Sequence, residues 1–288
     1  KLNKNNIFLK RIKKTDFINN IDKKIFTSFK KSIRNVYNFH KKQLPKNYKH
    51  VNNKALLHSN WQALDSVGLY VPGGKTVYPS SLIMNVVPAI VAGVKRIVCV
   101  MPPNHKINPY ILSLLYELRI KEIYLVGGAQ AIAALTYGTE TIKPVNKIFG
   151  PGNAFVASAK KQVFGKVGID LIAGPSEIVV VANNENNPRW VASDLIAQAE
   201  HDINAQSILV TDSVRFANEV LSNIKILLTK IPKKNTIKKS LLKNGIVIII
   251  NDIYKCYEII NIIAPEHLHL QLINSKKILK KINNAGSI

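Results

Sequence analysis

The stretch Glu122-Ile-Tyr-Leu-Val-Gly-Gly-Ala-Gln-Ala-Ile-Ala-Ala-Leu-Thr136 decides the fold. Residues 122–126 are rich in β-branched, aromatic and aliphatic side chains, which predicts a strand. Gly127 and Gly128 break it, and the alanine-rich run 129–136 predicts a helix. The same rhythm extends both ways. Upstream, Gly68-Leu-Tyr-Val71 ends in Pro72-Gly-Gly74, a helix is predicted over 87–93, and the strand Arg96-Ile-Val-Cys-Val-Met101 breaks at Pro102-Pro103 before a helix over 108–119. Downstream, Lys147-Ile-Phe149 ends in Gly150-Pro-Gly-Asn153 with a helix after it. The rhythm restarts near Glu177 with Ile178-Val-Val-Val-Ala182, Ser207-Ile-Leu-Val-Thr211 and Ile246-Val-Ile-Ile-Ile250. Such runs do not alternate, which fits strands buried on both faces. The fold class expected is α/β, with two tandem Rossmann-like units built on mostly parallel sheets. A polar, helical N-terminal segment precedes them. The expected divisions are 1–66 for that segment, as part of the first domain, 67–168 for the first unit, and 169–288 for the second. The lysine-rich stretch 230–243 is expected to be an exposed helix and loop.

Composition narrows the function. Of the 288 residues 47% are hydrophobic, enough for a sizeable core and against disorder as the main state. Two cysteines, Cys99 and Cys256, exclude a disulfide framework, and both read as buried apolar side chains. No uncharged apolar run is long enough to span a bilayer, and residues 1–14 lack the apolar core of a signal peptide. A cytoplasmic protein with no membrane partner is expected. The net charge of +24 invites a nucleic-acid reading. Against it, the only arginines are Arg11, Arg34, Arg96, Arg119, Arg189 and Arg215, whereas bidentate contacts to bases and phosphates favour arginine. The excess also sits in the flanks: residues 1–49 hold 15 basic and two acidic residues, residues 121–210 seven and eight. A solvated lysine-rich surface is therefore preferred to a polyanion site, and no nucleic-acid partner is expected.

Four places hold residues suited to chemistry. Gly127-Gly-Ala-Gln130 and Gly150-Pro-Gly-Asn153 each end a strand and open a helix, where glycines admit a phosphate and the helix N-terminus favours negative charge. Neither is the G-x-G-x-x-G fingerprint, so each alone is a tight turn or a ligand loop. Gln198 and His201, three residues apart on a predicted helix, can share one face and one metal ion. Two ligands do not make a zinc site, and Asp194, Glu200 and Asp202 beside them read as solvated charges. Glu266 and His267 can supply a base and a general acid/base, provided the backbone after Pro265 is irregular, because strand neighbours point to opposite faces. His269 is expected to share a face with His267. His40, His50, His58 and His105 sit in polar contexts and read as surface residues.

Together these motifs resemble the histidinol dehydrogenase family. The resemblance rests on Val67-Gly-Leu-Tyr-Val-Pro-Gly-Gly74, Val126-Gly-Gly-Ala-Gln-Ala-Ile-Ala-Ala-Leu135, Lys147-Ile-Phe-Gly-Pro-Gly-Asn153, Ala173-Gly-Pro-Ser-Glu177, Ala192-Ser-Asp-Leu-Ile-Ala-Gln-Ala-Glu-His201 and Ala264-Pro-Glu-His267, in the family's order. It implies oxidation of L-histidinol through L-histidinaldehyde to L-histidine with two NAD molecules and a bound zinc, at the end of histidine biosynthesis. By position, Gln198 and His201 resemble two of four zinc ligands, and Glu266 and His267 the catalytic pair. Tyr70, Gln130 and Asn153 resemble NAD contacts, and Ser176 a substrate contact together with Gln198, His201 and His267. In this scheme His267 takes the hydroxyl proton and Glu266 activates water against the aldehyde. The resemblance also implies a homodimer with a shared active site. The family's further zinc-ligand Asp and His and a substrate-binding Glu have no counterpart before Ile288, so the 288 residues are expected to be a fragment, weakly active or inactive alone. Two alternatives stand beside it. One is a related zinc and NAD dehydrogenase of another amino alcohol or diol, and the other a basic polyanion-binding protein on the same scaffold.

Overall fold

The computed structural model describes residues 7–9, 12–72, 78–103, 107–172 and 174–288. His105, Ala173 and the glycines of the Pro72-Gly-Gly74 turn lie outside the described residues. Two units divide the chain, Lys1–Ala173 and Gly174–Ile288.

The first unit opens with helix α1 (Lys23–Lys41), started by Asp22, whose carboxylate accepts the Lys24 N–H at 2.6 Å. Its apolar stripe, Phe29, Ile33 and Val36, packs half-buried on the core. The helical character expected over residues 1–66 holds through this helix and then gives way. Strands β1 (Tyr48–Asn52) and β2 (Ala55–Ser59) form an antiparallel hairpin. Asn52 closes its two-residue turn, with its Oδ1 accepting from the Lys54 and Ala55 N–H groups at 3.0 and 2.9 Å.

From Ser66 onward strand and helix alternate. The elements are β3 (Ser66–Tyr70), α2 (Pro79–Val91), β4 (Arg96–Val100), α3 (Pro109–Glu117), β5 (Glu122–Tyr124), α4 (Gly128–Tyr137), β6 (Lys147–Phe149), α5 (Ala154–Val163) and β7 (Gly168–Ile169). The helix expected over 87–93 starts earlier, at Pro79, because proline is favoured in a first turn. The five strands are parallel in the order β5-β4-β3-β6-β7. Strand β7 continues this first sheet past residue 168. Val67, Leu69 and Cys99 face α2 and α3, while Tyr70, Val98, Val100 and Ile148 face α4 and α5. Both faces are covered, so alternation is absent from the sequence.

The second unit repeats the scheme with β8 (Glu177–Ala182), α6 (Pro188–Ala199), β9 (Gln206–Thr211), α7 (Val214–Leu228), α8 (Lys234–Asn244), β10 (Gly245–Ile249), α9 (Cys256–Ile263), β11 (His267–Gln271) and α10 (Ser275–Leu279). Its strands are parallel in the order β10-β9-β8-β11. In each sheet the chain works outward to one side and then restarts on the other. The switch points therefore fall between β3 and β6 and between β8 and β11, where open α/β sheets form crevices.

Candidate functional site

In the first unit the three residues expected to contact a cofactor cluster around the switch point, at the carboxyl end of the sheet. Tyr70 ends β3, is 4% exposed, and its hydroxyl accepts the Gly128 N–H at 3.1 Å. Gln130 stands exposed in the first turn of α4. Asn153 caps α5, its Oδ1 accepting the Val156 N–H at 3.1 Å. Gly150, with φ of +111°, lies so close to Tyr70 that a Cβ would run into the Tyr70 carbonyl oxygen. A buried ion pair secures this loop. Lys160, 4% exposed, donates from Nζ to the Gly150 carbonyl at 2.6 Å and to Asp170 Oδ1 at 2.7 Å. Asp170 Oδ2 in turn accepts the Gly150 N–H at 2.8 Å. Sequence reasoning missed Lys160 and Asp170. The available signal was a lysine inside the packed span of α5.

In the second unit the candidate residues flank the switch point too, but at the opposite end. Ser176 immediately precedes β8, and Glu266 and His267 stand at the start of β11. Helix α6 links two parallel neighbours, so it must run against the strands, and its C-terminal Gln198 arrives at the same amino-terminal edge. The rule that ligands sit at carboxyl ends, expected for the glycine turns, does not extend to these five residues.

The local backbone explains how Glu266 and His267 meet. Ala264 ends α9 in the left-handed region, with φ 53° and ψ 54°, and the strand begins only at His267. Glu266 is thus released from the pleat. Its Oε1 lies 3.6 Å from His267 Nε2, and its Oε2 accepts the Glu177 N–H at 3.3 Å. The chain's last residues brace the pair. Leu268 N–H donates to the Ser287 carbonyl and Ser287 N–H to the Glu266 carbonyl, each at 2.9 Å. Gly286 passes so near that a Cβ would stand 2.7 Å from the Glu266 carbonyl oxygen.

Gln198 and His201 differ from expectation in one respect. Helix α6 ends at Ala199, so His201 lies in the turn beyond it, its N–H donating to the Gln198 carbonyl at 3.2 Å. Gln198 is 7% exposed and its side chain makes no hydrogen bond among the described residues, but its amide atoms still reach solvent. An amide oxygen and an imidazole brought together at the end of α6 suit, by donor type alone, half of a metal site. Among the described residues no group of three His, Cys, Asp or Glu is placed to hold a metal ion, so the other half is not supplied here.

Asp194 is not the solvated charge expected. It accepts from Gln271 Nε2 at 2.5 Å and lies 3.2 Å from His269 Nδ1. His40 is not a plain surface residue either. Its Nδ1 meets Gln43 Oε1 at 2.6 Å while its Nε2 is buried without a partner among the described residues. Cys99 and Cys256 are buried as expected, and burial pushes their thiols up to about 12 and about 11, away from nucleophilic use. Among the described residues no helix is long and apolar enough to cross a membrane.

Two tandem parallel α/β units with loops gathered at their switch points define a fold class shared with aldehyde dehydrogenases. The structure of the putative aldehyde dehydrogenase PutA from Anabaena variabilis matches with a TM-score of 0.54 at 13% identity, covering 91% of this chain and 70% of that one. Within that class the chain belongs to the histidinol dehydrogenase family, whose model, described as "Histidinol dehydrogenase", matches residues 2–288. The histidinol dehydrogenase structure from Elizabethkingia anophelis matches with a TM-score of 0.93 at 35% identity, covering 98% of this chain and 66% of that one. Histidinol dehydrogenase 1 of Nostoc sp. is 50% identical over 255 residues, 88% of this chain and 59% of the relative. The relative from Rhizobium meliloti is also 50% identical, over 86% of this chain and 58% of its own. The chain thus spans about 59% of the length of the curated relatives it matches.

Proposed function

We propose that the protein containing this chain oxidises L-histidinol to L-histidine through L-histidinaldehyde. The observation that carries the reading is the Glu266–His267 pair, 3.6 Å apart at the start of β11 and braced by the Glu177 N–H, in a chain of the histidinol dehydrogenase family. When bound, NAD would accept hydride twice and zinc would hold and orient the substrate's nitrogens.

The chain's own residues do the rest. His267 takes the carbinol proton at its imidazole, and Glu266 removes a proton from the water that attacks the aldehyde. A four-electron path calls for a base twice, which suits two adjacent groups better than one. Gln198 and His201 would hold the metal, supported by the placement of an amide oxygen and an imidazole together at the end of α6. Ser176, beside the Glu177 amide that Glu266 engages, contacts substrate together with Gln198, His201 and His267. Tyr70 and Asn153 serve the cofactor by shaping its loops, since both side chains are engaged with loop and helix amides, and Gln130 is the exposed contact. The reading includes a cytoplasmic homodimer whose subunits share active sites.

The test is steady-state NAD reduction by the complete natural protein. L-Histidinol should be oxidised with two NAD reduced per substrate, and a zinc chelator should abolish it. Glu266→Gln should cut turnover by at least 10²-fold and His267→Asn likewise, the scale of a lost acid/base group. Equal rates with simple diols, or full activity in both variants, would refute the reading.

A further inference from the structure

Asp194 hydrogen-bonds helix α6, which carries Gln198, to strand β11, which begins at His267. It leaves α6 one turn before Gln198 and meets two residues of β11: His269 Nδ1 at 3.2 Å and Gln271 Nε2 at 2.5 Å, both on Oδ2. The register fixes what this implies. His267, His269 and Gln271 pair with Ile178, Val180 and Ala182, so they share the sheet face that α6 covers. Helix and strand run in opposite directions there. Four residues along a helix advance about 6 Å, and two residues along a strand advance about 6.6 Å. With Asp194 held against His269, the next turn of α6 therefore comes level with His267, and the residue presented on that turn is Gln198. A second anchor agrees. Ser207 Oγ donates to the Leu195 carbonyl at 2.9 Å, and Ser207 shares the sheet level of Ile178 and His267.

We infer that Asp194 is a positioning residue which, through His269 and Gln271, sets the candidate metal ligand Gln198 level with the candidate base His267; this rests on the reading that Gln198 and His201 hold zinc. Its carboxylate touches neither substrate nor cofactor. It fixes the spacing between the atom that holds the substrate and the atom that takes its proton. Among the described residues strand β11 is the edge of its sheet, paired along its length with β8 and bridged on the other side only at its start, by Ser287. Bracing of this kind around a metal ligand is typically worth 10–100-fold in metal affinity or activity.

The experiment uses the complete natural protein, with zinc content measured across a graded chelator series and kinetics measured alongside. Asp194→Ala is expected to release zinc at a 10–100-fold lower chelator concentration. It should lower kcat/KM for histidinol by a similar factor and leave KM for NAD within about twofold, because the cofactor loops belong to the other unit. Asp194→Asn retains an acceptor oxygen for Gln271 and should recover most of the loss. Gln198→Ala is the reference. Wild-type zinc retention and histidinol kinetics in Asp194→Ala, with zinc lost in Gln198→Ala, would overturn the positioning role. Zinc retained in Gln198→Ala would overturn the metal reading beneath it, and this inference with it. Should Asp194→Ala fail to fold, Gln271→Ala removes one donor from the clamp and is judged on the same measurements.

Discussion

The replacement Lys160→Met isolates the clamp on the loop that carries Asn153. It removes a cation that is 4% exposed and keeps a side chain of similar length. Two groups lose their partner, the Gly150 carbonyl at 2.6 Å and Asp170 Oδ1 at 2.7 Å. Removing one member of a buried ion pair costs about 3–5 kcal/mol because the other charge stays buried and unpaired. The Asp170 side chain is 20% exposed, so water recovers part of that, and the lower bound of about 3 kcal/mol applies. A chain of two units is not expected to unfold in one step, so a local readout is preferred. The Gly150 N–H, held by Asp170 Oδ2 at 2.8 Å, provides it. At about 1.4 kcal/mol per decade its exchange protection should fall about 10²-fold. Asp170→Asn alone should cost a similar amount, and the double variant should cost at least 2 kcal/mol less than the sum, roughly the coupling found for contacting pairs. Protection falling less than fivefold, or additive costs, would refute the argument that this pair holds the loop.

Two further outcomes follow from the same geometry. Gly150→Ala should destabilise the first unit by about 3 kcal/mol or more, since φ of +111° is strained for any L side chain and the new Cβ meets the Tyr70 carbonyl; thermal unfolding of the variant against wild type measures it. Cys99 and Cys256, with folded values of about 12 and about 11 against an ordinary 9.0, should ignore thiol reagents at pH 8 until urea is added. Because both values are raised, the linked stability is complete below about pH 9 and declines as pH climbs towards 11–12, and Cys99→Ala should flatten that decline.

Much of the fold was legible because its strands are short, apolar on both faces and punctuated by glycine and proline. Ile178 to Ala182 reads as a doubly covered strand, and it is one. The hairpin of Tyr48 to Ser59 was not legible. Its apolar residues, Val51, Leu56 and Leu57 among them, remain exposed, so no buried face imposes an alternating pattern. In the site, the adjacency of Glu266 and His267 was visible as residue types, but their meeting depends on the left-handed Ala264 and on late pairing with Ser287. Asp194 read as solvent-facing because its partners lie 75 and 77 residues away. Contacts at that separation are set by register, which local pattern does not carry.

The opposite placement of the two candidate centres has an electrostatic reason. Helix N-termini carry about half a positive elementary charge and C-termini the reverse. At the carboxyl end of the first sheet stand the N-termini of α4 and α5, capped at Gly127 and Asn153, next to Tyr70. That end attracts an anion, and the proposed occupant there is a dinucleotide with its pyrophosphate. At the amino end of the second sheet stands the C-terminus of α6, whose final carbonyls follow Gln198. That end attracts a cation, and the proposed occupants are a metal ion and an imidazole that gains a proton. Placed instead at the carboxyl end of the second sheet, a zinc ion would face the N-termini of α6 and α7, capped at Asn187 and Ser213. The helix dipoles there would oppose it, by about 0.3–1 kcal/mol each. One α/β plan used twice thus offers two ends of opposite polarity, and each proposed ligand sits at the end that matches its charge.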